Sequence, residues 1–270
     1  MAPYREYRLG PPLDSSVECV WVLSGVEAVP QPGSNIQRIP PDGCVEAIFH
    51  LRDRFCELQD GGSRVVQPGA FIVGIWTKPI VLEAPAAFET VGIRFRPGCA
   101  ARFTDGAGRL TNQAIESELV WGRSAAALRE RLAEDDDDGA RLAAIGEFLM
   151  ARLRRSDALL LEGVQRIMDT SGRTSVDALS RHLGVGHRRL ERAFVDHVGV
   201  PAKTLCRIVR FQSALRRRTP ASAAGWADLA AACGYSDQSH LIRDFRQFAG
   251  QTPASLAAAE PSLADYFRRR

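Results

Sequence analysis

No stretch of this 270-residue chain reaches the roughly 20 consecutive apolar residues that a membrane-crossing helix needs. The opening residues, MAPYREYRLG, lack the apolar segment of a secretory leader, so neither a leader nor a membrane partner is expected. The six cysteines, at positions 19, 44, 56, 99, 206 and 233, form no CxxC pair and no regular framework. That excludes a disulfide scaffold and leaves no four ligands at structural-zinc spacing, so no metal or cofactor is expected. Reduced thiols in a cytoplasmic protein are the expectation.

Excess charge is also scarce, with 35 basic and 32 acidic residues for a net +3. The near-balance hides a polarity. Residues 156–270 hold 17 Lys+Arg and 11 Asp+Glu, a net +6, while residues 1–155 hold 18 and 21, a net −3. Between Arg181 and Arg218 there are ten basic residues and two acidic ones, Glu191 and Asp196. A basic segment inside a near-neutral chain points to a polyanionic partner, with a solvated face as the alternative.

The patterning predicts an α+β chain. VECVWVLS, CVEAIFHL, FCELQ, AFIVGIW, IVLEA and FETVGIRF are short segments rich in β-branched and aromatic residues, separated by Gly, Pro, Asn and Asp. They predict an antiparallel barrel or sandwich. RSAAALRERLAE and ARLAAIGEFLMARLRR then carry apolar residues at helical spacing, with the acidic run Asp135–Asp138 as a solvated turn between them. Their apolar stripes serve either a dimer interface or packing on the β domain. The boundary is expected near Arg154–Asp157, giving domains 1–155 and 156–260 and a basic tail 261–270. Leu159–Asp169 predicts one helix, and Thr174 with Asp177 a capping box for the next. Pro201 begins a longer helix ending in Arg216, Arg217 and Arg218, and another helix starts near Trp226.

The strongest signal is a repeat. LSRHLGVGHRRLERAFVDHVG from Leu179 matches LAAACGYSDQSHLIRDFRQFAG from Leu229, first 50 and then 51 residues apart. Each copy reads helix, glycine turn, helix. Leu190 and Phe194, like Leu241 and Phe245, are four residues apart and should face inward. The opposite faces carry groups suited to base edges and phosphates.

At these residues the chain resembles the AraC/XylS family of transcription regulators. GYSDQSHLIRDFRQFAGQTPASL carries the closest likeness, GVGHRRLERAFVDHVGVP resembles the family's first unit, and RIVRFQSALRRR its connecting helix. The likeness spans about Leu159 to Leu256. It implies an all-α C-terminal domain whose two helix-turn-helix units meet successive major-groove segments of double-stranded DNA about 34 Å apart. Carried over by position, Arg188, Glu191 and Arg192 meet bases from the first unit, and Gln238, Ser239, His240 and Arg243 from the second. Arg192 and Arg243 suit guanine and Gln238 adenine; His187, Arg189 and Lys203 suit phosphates. Glu191 has the alternative of an intrahelical arginine partner. The arginine-rich first face and the amide, hydroxyl and imidazole groups of the second predict a non-palindromic site for each monomer. RNA polymerase becomes a partner if the protein activates.

The N-terminal part, through IPPDGCVEAIFHL and GIRFRPGCA, resembles an uncharacterised sensor domain of one family subgroup. The resemblance implies a small-molecule effector, with a dimerisation-only domain as the alternative. The family's sugar-binding members have a metal-binding cupin barrel, but His50 is solitary here, with no HxH. Trp21, Cys44, Phe49, Trp76 and Phe95 are the candidate effector contacts. Cys44, Glu46 and His50 would share one strand face, which raises a nucleophilic cysteine; a turn at Asp42–Gly43 leading Cys44 into a strand as a small hydrophobe is the simpler reading. Some alkylation-repair regulators carry the same helices, but their zinc-bound cysteine cluster is missing here, and no catalytic residue is expected. Arg94 and Arg96, alternating with Ile93 and Phe95, are expected on a solvated strand face, with contact to an anionic ligand as the alternative.

Overall fold

The computed structural model describes residues 4–26, 35–59, 61–217 and 225–258. Arg218, Pro220 and the 261–270 tail lie outside the described residues. The β-rich part contains β1 (Tyr4–Tyr7), β2 (Val17–Val26), β3 (Ile36–Ile39), β4 (Glu46–His50), β5 (Cys56–Leu58), β6 (Arg64–Val66), β7 (Ala70–Val73), β8 (Ile80–Glu83), β9 (Ala87–Phe95) and β10 (Ala114–Glu116). They form two antiparallel sheets, ordered β1-β2-β9-β4-β7-β10 and β3-β8-β5-β6.

Strand alternation gives the larger sheet two different faces. Val20, Val22, Ala47, Phe49, Val91, Ile93 and Phe95 point to the helices and join the main core. Cys19, Trp21, Leu23 and Phe88 point the other way, where Phe55 and Ala84 close a second, smaller core with the four-stranded sheet.

Helices α1 (Ser117–Trp121), α2 (Arg123–Glu134) and α3 (Asp138–Met150) follow. Leu128, Leu132, Ile145, Phe148 and Leu149 are buried in the main core, so the apolar stripes of α2 and α3 are spent on their own domain. The acidic run is not a solvated turn throughout. Asp137 caps α3 by accepting from Ala140 N, and Asp138 lies inside the helix. There its side chain, 15% exposed, meets Arg5 Nε at 2.7 Å and Arg141 Nη1 at 3.6 Å. The Arg5 guanidinium holds the Asp138 carboxyl below the usual carboxylate range. The segment 151–157 then leads out of this domain, and α3 ends before ARLRR.

The C-terminal part is helical: α4 (Ala158–Asp169), α5 (Val176–Leu183), α6 (His187–His197), α7 (Ala202–Arg217), α8 (Trp226–Ala232), α9 (Gln238–Ala249) and α10 (Pro253–Ala258). The cap of α5 is Ser175, which accepts from Ala178 N, one residue later than the Thr174 box predicts. Helix α7 runs between the two repeats. Ten of its side chains, among them Leu205, Ile208, Phe211 and Gln212, are buried.

Candidate nucleic-acid interface and inter-sheet cavity

Each repeat is a pair of helices joined by a glycine turn. In the first, α5 ends at Gly184, whose φ of +64° is left-handed while an added Cβ would meet nothing; conformation alone requires glycine there. In the second, Asp237 caps α9 by accepting from His240 N at 2.7 Å. Leu190, Phe194, Leu241 and Phe245 are all buried, as their spacing predicts.

The other faces are open. His187, Arg188, Arg189 and Arg192 are exposed on α6, while Glu191 is half-buried. His187 Nε2 lies 3.0 Å from Asp177 Oδ1, tying the start of α6 to α5. Lys203 is exposed on the first turn of α7. On α9, Gln238, Ser239 and Arg243 are exposed. His240 is half-buried, with Nδ1 3.3 Å from Ser236 Oγ and its ring edge-on to Tyr235 at 5.2 Å. The sequence-predicted DNA residues thus group as two clusters at the N-terminal ends of α6 and α9, with Lys203 apart.

One buried charge was missed by sequence reading. Asp244 has no exposed surface, and its Oδ1 accepts from Arg207 of α7 at 2.6 and 3.1 Å. The signal was present: Asp244 shares the apolar face of Leu241, Phe245 and Phe248 at helical spacing.

A cavity of about 120 Å³ lies between the two sheets. Trp21, Cys44 and Trp76 line it. Phe49 and Phe95 do not. Both are almost wholly buried on the opposite face of their strands, in the main core. The cavity wall adds Leu23, Ile48, Phe55 and Leu82, with polar groups towards both ends of β4, Asp42 and Glu46 at one and His50 with Gln67 at the other. Arg94 is not on a solvated face: its side chain is 11% exposed and pairs with Asp42 and, at 2.7 Å, with Glu46. Arg96 pairs with Glu18 at 2.6 Å. Burial pushes the Glu46 carboxyl up to about 7, opposed by a hydrogen bond from the Trp21 indole. The Trp76 indole N–H is buried without a hydrogen-bond partner.

Cys44 N donates to Asp42 Oδ1 at 2.9 Å, the turn the simpler reading expects. Cys44, Glu46 and His50 do share the cavity face. Burial pushes the Cys44 thiol well above the usual cysteine range, which opposes a nucleophilic thiolate. His50 is held neutral. Its Nε2 donates to Gln67 Oε1 at 3.1 Å, Nδ1 lies 3.0 Å from Thr90 Oγ1, and burial lowers its pKa to about 4.

That shift predicts a pH effect with a definite sign. The folded His50 resists a proton that the unfolded chain accepts below its ordinary value of 6.5. Its contribution is therefore whole above pH 6.5 and is lost as pH falls towards 4. Urea unfolding at pH 7.5 and pH 5 should show the parent losing about 2 kcal/mol more than His50→Gln. Equal losses would refute a neutral buried imidazole.

The cavity wall also touches the helices. Pro40, Pro41, Asp42 and Cys44 line the cavity, and in the same segment Pro41 O accepts from Gln212 Nε2 of α7 at 2.7 Å. Gly43 lies against Leu205 and Ile208 of α7. Nearby, the 3-10 helix Ala107–Leu110 packs on the last turn of α6, and Thr111 Oγ1 donates to Gly199 O.

Residues 179–259 match a family model described as a helix-turn-helix domain, and residues 5–116 one described as a domain of unknown function, DUF6597. No curated protein matches the chain by sequence. Among solved structures, apo ToxT K231A from Vibrio cholerae strain SCE256 is 9% identical with a TM-score of 0.49, over 88% of this chain and 96% of that one. Wild-type ToxT from the same strain with an unsaturated fatty acid bound is 9% identical with a TM-score of 0.45, over 84% and 96%. The AraC-like transcriptional activator CuxR is 11% identical with a TM-score of 0.28, over 79% and 86%. Among the described residues no helix is long and apolar enough to cross a membrane.

Proposed function

We propose that this chain is a DNA-binding transcription regulator, a reading supported by the helix-turn-helix family model that residues 179–259 match, and that a small molecule in its inter-sheet cavity sets how the two helix-turn-helix units meet DNA. One observation carries the reading. The segment Pro40–Cys44 is at once cavity wall and the seat of α7, the helix that joins the two units. A ligand that moves Pro41 acts directly on Gln212, and only a ligand with different affinity for the two arrangements shifts their balance.

In this reading Arg188, Glu191 and Arg192 face bases from α6, and Gln238, Ser239, His240 and Arg243 from α9. His187, Arg189 and Lys203 hold phosphates and supply salt-dependent affinity. Arg243→Ala is expected to weaken binding to a duplex selected by the parent protein by about 1–3 kcal/mol, and to relax choice at one base pair. Unchanged affinity for selected and scrambled duplexes would remove Arg243 from the interface.

The effector arm is tested by a metabolite panel read as melting temperature. A true effector at 100 times its Kd stabilises the fold by about 2.7 kcal/mol and changes affinity for the selected duplex. Gln212→Leu is expected to keep the stabilisation and lose most of the change in DNA affinity. A panel without any stabilising compound favours a constitutive regulator whose β domain only dimerises.

A further inference from the structure

We infer that the inter-sheet cavity is built for a small, ring-sized cationic amine, with the Asp42–Glu46 end taking the ammonium group and the tryptophan walls taking the ring. The inference rests on the effector reading and adds the chemical class. Its size comes first. At about 120 Å³ the cavity is somewhat smaller than the roughly 150 Å³ apolar cavity that admits one benzene molecule, so its occupant is at most a single ring with its substituent reaching towards the cavity's open side. Trp21, Phe55, Ile48, Leu23 and Leu82 supply the apolar wall for such a ring.

Charge decides the rest. Among the described residues that line the cavity there is no lysine or arginine. Arg94 stands on the same face of β9 as Thr90 but does not line the cavity, and its guanidinium is shared between two carboxylates, Asp42 and Glu46. One cation against two carboxylates leaves the charge of Glu46 unmatched whenever it ionises, and burial holds that carboxyl at about 7, so a cation brought beside it is favoured and an anion is not. His50 adds none of the opposite sign, because both of its ring nitrogens are engaged by Gln67 and Thr90 and burial keeps it neutral. An anionic ligand would therefore be buried beside Asp42 and Glu46 without a counter-charge of its own, which is costly. The Trp76 indole N–H, a lining donor buried without a partner, suits a neutral acceptor and does not offset a full negative charge.

A cationic ligand reverses each of these terms. Its ammonium pairs with Glu46 and draws that carboxyl to its ionised form. Trp21 and Trp76 line the same cavity, and an indole face turned to the ammonium would attract it further.

The test uses three probes of one shape and different charge: benzylamine, benzyl alcohol and benzoate, each titrated into the full-length protein and followed by tryptophan fluorescence and melting temperature. Benzylamine is expected to bind at least about tenfold more tightly than benzyl alcohol, and benzoate not to bind. Glu46→Gln should weaken benzylamine by about tenfold and leave benzyl alcohol unchanged. Should Glu46→Gln fail to fold, Asp42→Asn, on the more exposed of the two carboxylates, makes the same comparison. Benzoate binding as tightly as benzylamine, or equal binding of benzylamine to parent and variant, overturns the charge assignment while leaving an effector site standing. Failure of all three probes to bind overturns both the assignment and the cavity as a site for ring-sized ligands.

Discussion

Arg207→Met is expected to destabilise the C-terminal helices by about 3–5 kcal/mol, lowering the melting temperature by roughly 10 °C. The size follows from what is left behind. Asp244 is fully buried among Leu241, Phe245 and Phe248, and Arg207 supplies both hydrogen bonds to its Oδ1 while also reaching Gln247 Oε1 at 2.6 Å. Methionine keeps much of the stem volume and removes the charge, so the carboxylate of Asp244 stays in the core uncompensated. The pair is also the bolt between α7 and α9, since Arg207 stands on one helix and Asp244 on the other. Loss of the bolt should loosen α9 more than α6, weakening the second DNA contact selectively. The double variant Arg207→Met with Asp244→Leu separates ion-pair chemistry from packing. If it recovers most of the lost stability, the cost is the orphaned charge; a melting temperature for Arg207→Met within a degree or two of the parent would show the pair to be solvent-screened.

How much of this was legible depended on whether the determinant was local. Helix α9 could be read because Leu241 and Phe245 repeat at helical spacing, and α2 because RSAAALRERLAE carries its own stripe. Strands β2 and β9 announce themselves by length and β-branched residues. Strands β3, β6 and β10 did not, being three or four residues long and partly polar, and stabilised only by partners elsewhere. The fate of charged groups was the least legible. Arg94 looks solvated in the alternation around Ile93 and Phe95, yet its carboxylates lie 48 and 52 residues away in sequence. Asp138 looks like part of a solvated run until Arg5, 133 residues earlier, reaches it.

The cavity shows an intermediate case, where parity held more information than composition. Cys44, Glu46, Ile48 and His50 share one face of the strand, so Phe49 must face the other way. The same rule sets Phe95 apart from Thr90 and Arg94 on β9. Aromatic content alone nominated both phenylalanines, and alternation removes them. What no local rule supplies is the second sheet, since Gln37, Ile39, Ile80 and Leu82 close the cavity only through long-range pairing.

Gly108→Ala is expected to separate the β domain from α6 at a cost of about 2–3 kcal/mol, without unfolding either part. A Cβ at this position would stand 2.2 Å from Val195 O and 2.4 Å from Asp196 O, both backbone atoms of the last turn of α6. No rotamer change relieves such a contact, so the 3-10 helix Ala107–Leu110 must move away from α6 or carry α6 with it. The hydrogen bond from Thr111 to Gly199 O lies beside this contact and should be lost with it. Hydrogen exchange reads the outcome directly. Amides of β2, β4 and β9 should keep their protection, while those at the end of α6 and the start of α7 should exchange faster. Gly146→Ala is the matched control: it lies in α3 with nothing within 4 Å of the added atom, and alanine there should be neutral or stabilising by up to about 1 kcal/mol. If the proposed route from cavity to DNA runs through docked domains, Gly108→Ala must also blunt the effector's influence on DNA affinity while leaving effector binding intact. Full retention of that influence in an undocked variant would place the coupling in the Pro41–Gln212 contact alone.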